Sequence, residues 1–168
     1  MDRILLVTGG SRGIGAATAL WAASHGFAVA VNYASNSTAA DAVVQQIRDA
    51  GGQAIAVHAD VSDEAQVLRM FEQVDASLGR ITALVNNAGV VDVASRVDQM
   101  SLARFKRMFD INVIGTLLCA REAVRRMSSR HGGQGGSIVN VSSVAASLGA
   151  PGQYVDYAAS KGAIDTFT

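Results

Sequence analysis

Five short apolar runs recur along the chain and alternate with longer amphipathic stretches. The runs span residues 4–7, 28–31, 54–57, 83–85 and 138–141, and such continuous apolar segments predict strands that are buried on both faces. Helices are predicted over 14–25, 37–50, 63–78 and 102–127, with a break near Asn112, and a last one begins near Tyr154. Ser62 or Asp63 can cap the third of these helices and Ser101 the fourth. This alternation predicts an α/β fold, a parallel sheet with helices on both faces.

Composition narrows the class of protein without adding a domain boundary. The 168 residues predict one domain, 49% hydrophobic and with zero net charge, so nothing attracts it broadly to nucleic acid or an anionic membrane. Cys119 is the single cysteine, which excludes a disulfide framework and predicts no metal site. The sequence shows no signal peptide and no apolar run that could span a bilayer, so we expect a cytoplasmic protein.

Glycines lie between the first strand and the first helix, in the segment Thr8-Gly-Gly-Ser-Arg-Gly-Ile-Gly15. Glycine permits a tight turn and lets the backbone approach a pyrophosphate, while the helix start offers free N–H groups and a positive dipole end. The spacing differs from the common G-x-G-x-x-G. In isolation it would also suit an ordinary turn, but its strand–turn–helix setting favours a dinucleotide site.

Two residues bear on which dinucleotide is bound. NAD sites usually carry an acidic residue near the end of the second strand, whereas an arginine favours the additional phosphate of NADP. Here that strand ends in Asn32-Tyr33-Ala34, and Arg12 lies within the glycine loop. Although Arg12 alone could be a surface charge, the two features together favour NADP(H), with NAD(H) possible.

A tyrosine and a lysine are spaced for proton transfer. Tyr157 and Lys161 are four residues apart and are therefore neighbours on a helix. A free phenol has a pKa of about 10, which an adjacent cation lowers, so the pair can act as an acid or base near neutral pH. Surface pairs share this spacing. Ser142 and Ser143 follow the fifth strand, where a hydroxyl can contact a substrate oxygen or cap the strand.

Together these segments resemble the classical branch of the short-chain dehydrogenase/reductase (SDR) family, near 3-oxoacyl reductases and glucose-1-dehydrogenase-like members. The matching segments are the TGxxxGIG loop at 8–15, the adenine-contacting pair Asp60-Val61, the NNAG segment at 86–89, the helix asparagine Asn112, and Ser143, Tyr157 and Lys161. One departure is an interval between Ser143 and Tyr157 that is one residue longer than is common. This leaves Ser142 as the alternative to Ser143.

The resemblance implies a Rossmann-type fold, a hydride-transferring oxidoreductase and a homo-oligomer, either dimer or tetramer. It gives Tyr157 the proton transfer, Lys161 the ribose of the cofactor, Ser143 the carbonyl and Asn112 a bound water. It implies cofactor contacts at Gly9, Ser11, Arg12, Gly13, Ile14, Gly15, Asn32, Asp60, Val61, Asn86, Ala88, Gly89, Tyr157 and Lys161.

The sequence leaves the substrate open among ketones, 3-oxoacyl compounds and sugars. The helix reaching Thr168 has no C-terminal cap, and family members continue further, so we expect a longer natural domain with additional strands. A nucleotide-sugar epimerase can share Tyr-x-x-x-Lys, but the Gly13-Ile14-Gly15 ending argues against it. A non-catalytic nucleotide-binding fragment and an NAD-dependent sugar dehydrogenase remain the alternatives, and turnover separates them.

Overall fold

The computed structural model describes residues 3–168 and contains a five-stranded parallel sheet. The strands are β1 Ile4–Val7, β2 Ala28–Tyr33, β3 Ala54–His58, β4 Ala83–Asn86 and β5 Ser137–Asn140. Their order across the sheet is β3-β2-β1-β4-β5. Successive strands are therefore added on one side of β1 up to β3 and on its other side from β4 onward. Doubly wound sheets bind ligands at such a switch point, here between β1 and β4, beyond the carboxyl ends of the strands.

Five helices lie between successive strands, and two follow β5. They are α1 Gly13–Ser24, α2 Ser37–Asp49, α3 Glu64–Ser77, α4 Leu102–Phe109, α5 Gly115–Met127, α6 Ala145–Leu148 and α7 Val155–Phe167. A π-helix, Asp110–Ile114, joins α4 to α5, and single 3₁₀ turns lie at Val97–Gln99 and Ser129–His131. The expected break near Asn112 is this π-helix, because the chain stays helical there but changes its hydrogen-bonding period.

Alternation along β1 divides the core between the two faces of the sheet. Leu5 and Val7 pack with residues of α1 and α2, whereas Ile4 and Leu6 pack with residues of α3 and α5. Successive side chains of a strand point to opposite faces, so an all-apolar β1 fills both layers. The α/β fold that the pattern predicts, and the Rossmann type that the family resemblance implies, are therefore confirmed.

Local capping explains where three of the helices begin. Asn36, Asp63 and Ser101 precede α2, α3 and α4, and each side chain accepts a hydrogen bond from a backbone N–H three residues later. Asp63, rather than Ser62, caps α3, and its bonds to Gln66 lower the pKa of the Asp63 carboxyl. Arg12, which precedes α1, has no side-chain cap bond, so the first turn of α1 keeps free N–H groups.

Two buried groups lie outside the site. Cys119 is fully buried, and this burial raises the pKa of its thiol to about 12. Glu122 is buried on α5, where it pairs with Arg121, Arg125 and Arg126. The basic stretch of α5 is thus partly neutralised within the chain.

The burial of Cys119 leads to a measurable expectation. A thiol reagent should label the folded protein only as fast as it opens, because thiolates rather than thiols react and the site excludes reagent. Labelling by a maleimide under native conditions, compared with denaturant, should differ by orders of magnitude. Rapid native labelling would contradict the packing of α5 against the sheet.

Candidate active site

The glycine loop is held by close backbone packing. Gly9 and Gly13 have positive φ angles of 61° and 55°, which glycine adopts without steric cost. At Gly15 a Cβ atom would lie 2.4 Å from the Gly9 carbonyl oxygen and 2.5 Å from Asn87 Nδ2. The start of α1 therefore approaches the loop so closely that no side chain fits there.

The NNAG segment after β4 is joined to this loop. Thr8 Oγ1 accepts hydrogen bonds from the backbone N–H groups of Asn87 and Ala88, both at 3.0 Å. Asn87 Nδ2 in turn donates to the carbonyl oxygens of Thr8 and Gly9, also at 3.0 Å. The two motifs, which lie about eighty residues apart in sequence, form one rigid unit at the carboxyl ends of β1 and β4.

The exposed side of this unit fits a dinucleotide. Arg12, Gly13 and Ile14 are exposed at the uncapped start of α1, where backbone N–H groups and the helix dipole favour an anion. The absent Cβ at Gly15 keeps the turn close to the strand end. Ser11 is half-buried beside them. These residues would hold the pyrophosphate of a nicotinamide cofactor.

Asn32 lies beneath the loop rather than in the cleft. Its side chain is only 1% exposed. Oδ1 accepts from Gly9 N at 3.1 Å, while Nδ2 donates to the carbonyl oxygens of Val57 and Ala59 at 3.3 and 3.0 Å. Because its polar atoms are already bonded, Asn32 supports the loop and joins β2 to β3. The direct contact between Asn32 and the cofactor that the family resemblance implies stays a prediction.

The adenine-side pair is only partly open. Asp60 is half-buried after β3, and its Oδ1 accepts from the N–H and hydroxyl of Ser62 at 2.9 and 2.7 Å. Val61 is buried, and a Cβ at Gly115 would lie 2.7 Å from Val61 Cγ2. The backbone N–H of Asp60 donates to Gln66 Oε1 at 3.0 Å, and its carbonyl oxygen accepts from Asp63 N at 3.1 Å. Asp60 therefore offers only its second carboxylate oxygen, and Val61 packs against the start of α5.

Asn86 connects two strands at the base of the site. It is buried at the end of β4, where Nδ2 donates to Asn140 Oδ1 at 2.9 Å and to the Thr116 carbonyl oxygen at 3.4 Å. Its Oδ1 is buried without a hydrogen-bond partner. Asn86 thus fixes β4 against β5 and α5.

The π-helix places Asn112 at the centre of the site. The buried side chain accepts from Val90 N at 2.8 Å, and its Nδ2 donates to the Val90 carbonyl oxygen at 2.9 Å and to Ser160 Oγ at 3.0 Å. Ser160 Oγ donates to the Tyr157 carbonyl oxygen at 2.7 Å. Asn112 therefore ties the loop after β4 to α7, the helix that carries Tyr157.

Tyr157 and Lys161 share one face of α7, as their spacing predicts. Lys161 Nζ lies 5.8 Å from the centroid of the Tyr157 ring. The ammonium is buried and donates to the Val141 carbonyl oxygen at 2.6 Å. Burial lowers the pKa of Lys161, and Asp165 offsets part of this effect. The structure brings a phenol and a largely desolvated cation together beside the carboxyl end of β5.

Gly89 and the two serines complete the surroundings of this pair. A Cβ at Gly89 would lie 3.3 Å from Asn112 Oδ1 and 3.7 Å from Lys161 Nζ. Ser142 Oγ donates to the Lys161 carbonyl oxygen at 3.4 Å, whereas Ser143 Oγ accepts from Ala145 N at 3.2 Å. The Ser142 hydroxyl proton is thus directed at α7, while that of Ser143 is free to reach a substrate.

Sequence reasoning missed Arg104, Asp156 and Ser160. Arg104 on α4 forms a buried ion pair with Asp156 on α7, with a shortest distance of 2.7 Å. Ser160 lies within the Tyr-x-x-Ser-Lys segment, so its position beside Lys161 could have indicated it. The Arg104–Asp156 pair joins positions that are 52 residues apart, and no local pattern indicates it.

Residues 3–168 contain no group of three or more His, Cys, Asp or Glu side chains arranged to hold a metal ion. Over the same range, no helix combines the length and apolar character needed to cross a membrane.

A doubly wound sheet with an uncapped glycine turn and a Tyr–Lys pair at its carboxyl edge defines a nucleotide-binding α/β protein. The chain belongs to the short-chain dehydrogenase family, whose sequence model, described as "short chain dehydrogenase", matches residues 3–168. This is a family of oxidoreductases that use a nicotinamide cofactor.

Named relatives agree with this membership. The chain is 56% identical over 165 residues to the uncharacterized oxidoreductase YgfF of Escherichia coli, covering 98% of this chain and 67% of that protein. It is 42% identical over 166 residues to a 3-oxoacyl-[acyl-carrier-protein] reductase of Synechocystis, covering 99% and 65%. It is 38% identical over 165 residues to a probable tetrahydroxynaphthalene reductase of Zymoseptoria tritici, covering 98% and 60%. The chain thus spans about two thirds or less of their lengths.

Proposed function

We propose that the protein is an NADP(H)-dependent oxidoreductase that interconverts a carbonyl and an alcohol. The observation that carries this proposal is the placement of Tyr157 and the buried Lys161 at the carboxyl edge of the sheet, the edge that also carries the glycine loop. Hydride would be supplied or accepted by the bound nicotinamide cofactor. The chain's own residues would position the reactants and move the proton.

Each side chain has a role that its contacts support. Tyr157 would give a proton to the substrate oxygen, or accept one from it. Lys161 would place its positive charge beside Tyr157 and bind the ribose of the cofactor. Ser143 would orient the carbonyl with its free hydroxyl proton. Asn112, already bonded to Val90 and Ser160, would hold the site together and, as the family resemblance implies, a water near Lys161.

Apolar side chains at the edge of the cleft bear on the substrate. Val144, just before α6, is 71% exposed, and Leu148, at the end of α6, is 70% exposed. Val91 and Val93, in the loop after Gly89, are 56% and 76% exposed. Exposed apolar groups grouped near a site favour an apolar ligand. Ketones or 3-oxoacyl compounds are thus preferred over sugars, in line with the reductase names of two relatives.

The preference for NADP(H) rests on charge. No acidic residue occurs over 32–36, at the end of β2 and in the loop that follows, and Arg12 is exposed at the start of α1. A guanidinium can pair with a phosphate, which NAD lacks.

The homo-oligomer that the family resemblance implies remains a proposal. Exposed apolar side chains on the α4–α5 region support it, namely Leu102, Ile114 and Val124.

Arg12→Ala should weaken NADPH binding by about tenfold to a hundredfold, the loss expected for a charge-assisted bond of about 1.5–3 kcal/mol. NADH binding should change little, since no phosphate contact is lost. Fluorescence titration of both cofactors checks this. Arg3→Ala, an exposed arginine before β1, is the matched control. Equal weakening of both cofactors, or tighter NADH binding by the parent protein, would contradict the preference.

The function itself is tested by turnover. Purified protein is assayed for nicotinamide oxidation with ketones, 3-oxoacyl thioesters and sugars, using both cofactors. Reduction of a ketone or thioester with NADPH supports the proposal. Cofactor binding without turnover favours a non-catalytic nucleotide-binding protein, and oxidation of a sugar with NAD⁺ favours a sugar dehydrogenase.

A further inference from the structure

Arg104 and Asp156 form a buried pair next to the proposed active site. The guanidinium bonds both carboxylate oxygens, Nε to Oδ2 at 2.7 Å and Nη2 to Oδ1 at 3.2 Å. The side chains are 10% and 0% exposed. Burial opposes ionisation of Asp156, but Arg104 and the Tyr157 backbone N–H outweigh it, so the pKa of Asp156 is lowered. Both partners therefore stay charged, in a bidentate geometry that fixes their relative orientation.

The position of the pair gives it a mechanical role. Asp156 directly precedes Tyr157 in the first turn of α7, and Tyr154, which begins that helix, has no side-chain cap bond. Arg104 also donates from Nη1 to the Val93 carbonyl oxygen at 2.7 Å. One guanidinium thus joins α4, the loop after Gly89 and the start of α7.

A second connection, from the π-helix that follows α4, joins the same loop to α7. Asn112 bonds Val90 in the loop and Ser160 on α7, and Ser160 bonds the Tyr157 carbonyl oxygen. The first two turns of α7 are therefore held at Ser160 by the family asparagine and at Asp156 by Arg104. Without Arg104, the turn that carries Tyr157 would keep the Asn112–Ser160 connection but lose the ion pair that joins it to α4.

We infer that Arg104, through Asp156, is a positioning residue that fixes Tyr157 against the loop on the substrate side. This inference rests on the proposed function, because the phenol must meet a substrate oxygen. It assigns to α4 a contribution to turnover that is separate from cofactor binding, since the glycine loop contacts neither Arg104 nor Asp156. A displacement of about 1 Å at a reacting group can cost about a hundredfold in rate.

The test compares Arg104→Met with a matched control on the same helix. Arg107 on α4 pairs with Asp92 at 3.5 Å, but these side chains are 57% and 32% exposed. We expect Arg104→Met to lower kcat about a hundredfold with NADPH affinity nearly unchanged, and Arg107→Met to retain the parent kcat. Asp156→Asn should match Arg104→Met, and the double variant should lose no more than either single variant, because the two groups act as a unit.

Arg104→Lys covers the case in which Arg104→Met fails to fold. It keeps the charge but not the planar fork, so kcat should fall to an intermediate value in a folded protein. Parent-like kcat in folded Arg104→Met or Arg104→Lys overturns the inference. So does a kcat loss that is accompanied by an equal loss of NADPH affinity, since that indicates general disruption.

A separate measurement distinguishes failure of the inference from failure of the proposed function. Amide hydrogen exchange over residues 154–161 needs no substrate. Faster exchange there in Arg104→Met than in Arg107→Met supports positioning of this turn by Arg104, even if the parent protein reduces no carbonyl in the panel. Equal exchange in the two variants overturns the inference, whatever the outcome of the turnover assay.

Discussion

Tyr157→Phe is expected to lower kcat by about a thousandfold, the middle of the range for losing a positioned general acid or base. The substitution removes only the hydroxyl and leaves the ring beside Lys161. The Ser160 Oγ bond to the Tyr157 carbonyl oxygen also remains. Cofactor affinity and melting temperature should therefore change little. Steady-state turnover with the best carbonyl of the panel, together with NADPH titration, measures the two effects separately.

Tyr154→Phe is the matched control, because it removes the same atom one turn earlier on the chain. Tyr154 begins α7 and has Ala158, not a lysine, four residues later. Its loss should leave kcat close to that of the parent. If Tyr154→Phe were the inactive variant and Tyr157→Phe the active one, the assignment of the proton-transfer group would be wrong.

The fold could be predicted from the sequence because its signals are local. The apolar runs and glycine stops place five strands within two residues of their observed bounds, and Asp63 and Ser101 cap the helices for which they were candidates. The short α6 was missed, since four residues cannot form a stable helix by propensity alone. The position of α6 depends on tertiary contacts, because the loop that follows it is held by a hydrogen bond from Ser95 N to the Gln153 carbonyl oxygen.

In the candidate site, too, local signals predict some features and miss those that depend on tertiary packing. Sequence spacing correctly puts Tyr157 and Lys161 on one helix face, since that relation is set by helix geometry. It does not reveal that Asn32 is buried and spends its amide on Gly9, Val57 and Ala59. Nor does it pair Arg104 with Asp156. These facts depend on which strands and helices become neighbours, and that is decided by the packing of the whole sheet.

Gly15→Ala is expected to have the second large effect, on both stability and cofactor binding. The added Cβ would lie 2.4 Å from the Gly9 carbonyl oxygen and 2.5 Å from Asn87 Nδ2. Real Cβ atoms do not approach so closely, so the loop must move away from α1. Movement of Asn87 would break its bonds to Thr8 and Gly9, which join the loop to the NNAG segment.

The destabilisation should be about 3 kcal/mol, the upper part of the usual range for overpacking, because the colliding oxygen belongs to the backbone. NADPH affinity should fall at least about a hundredfold, since the uncapped N–H groups of α1 no longer face a closed loop. Denaturant unfolding and fluorescence titration measure the two losses.

Gly162→Ala is the control for the chemical change itself. A Cβ there meets nothing within 4 Å, and alanine favours a helix interior over glycine by about 1 kcal/mol. The same substitution should therefore stabilise the protein at 162 and destabilise it at 15. Parent-like NADPH binding by Gly15→Ala would mean that the close approach of α1 to the loop is not what forms the cofactor site.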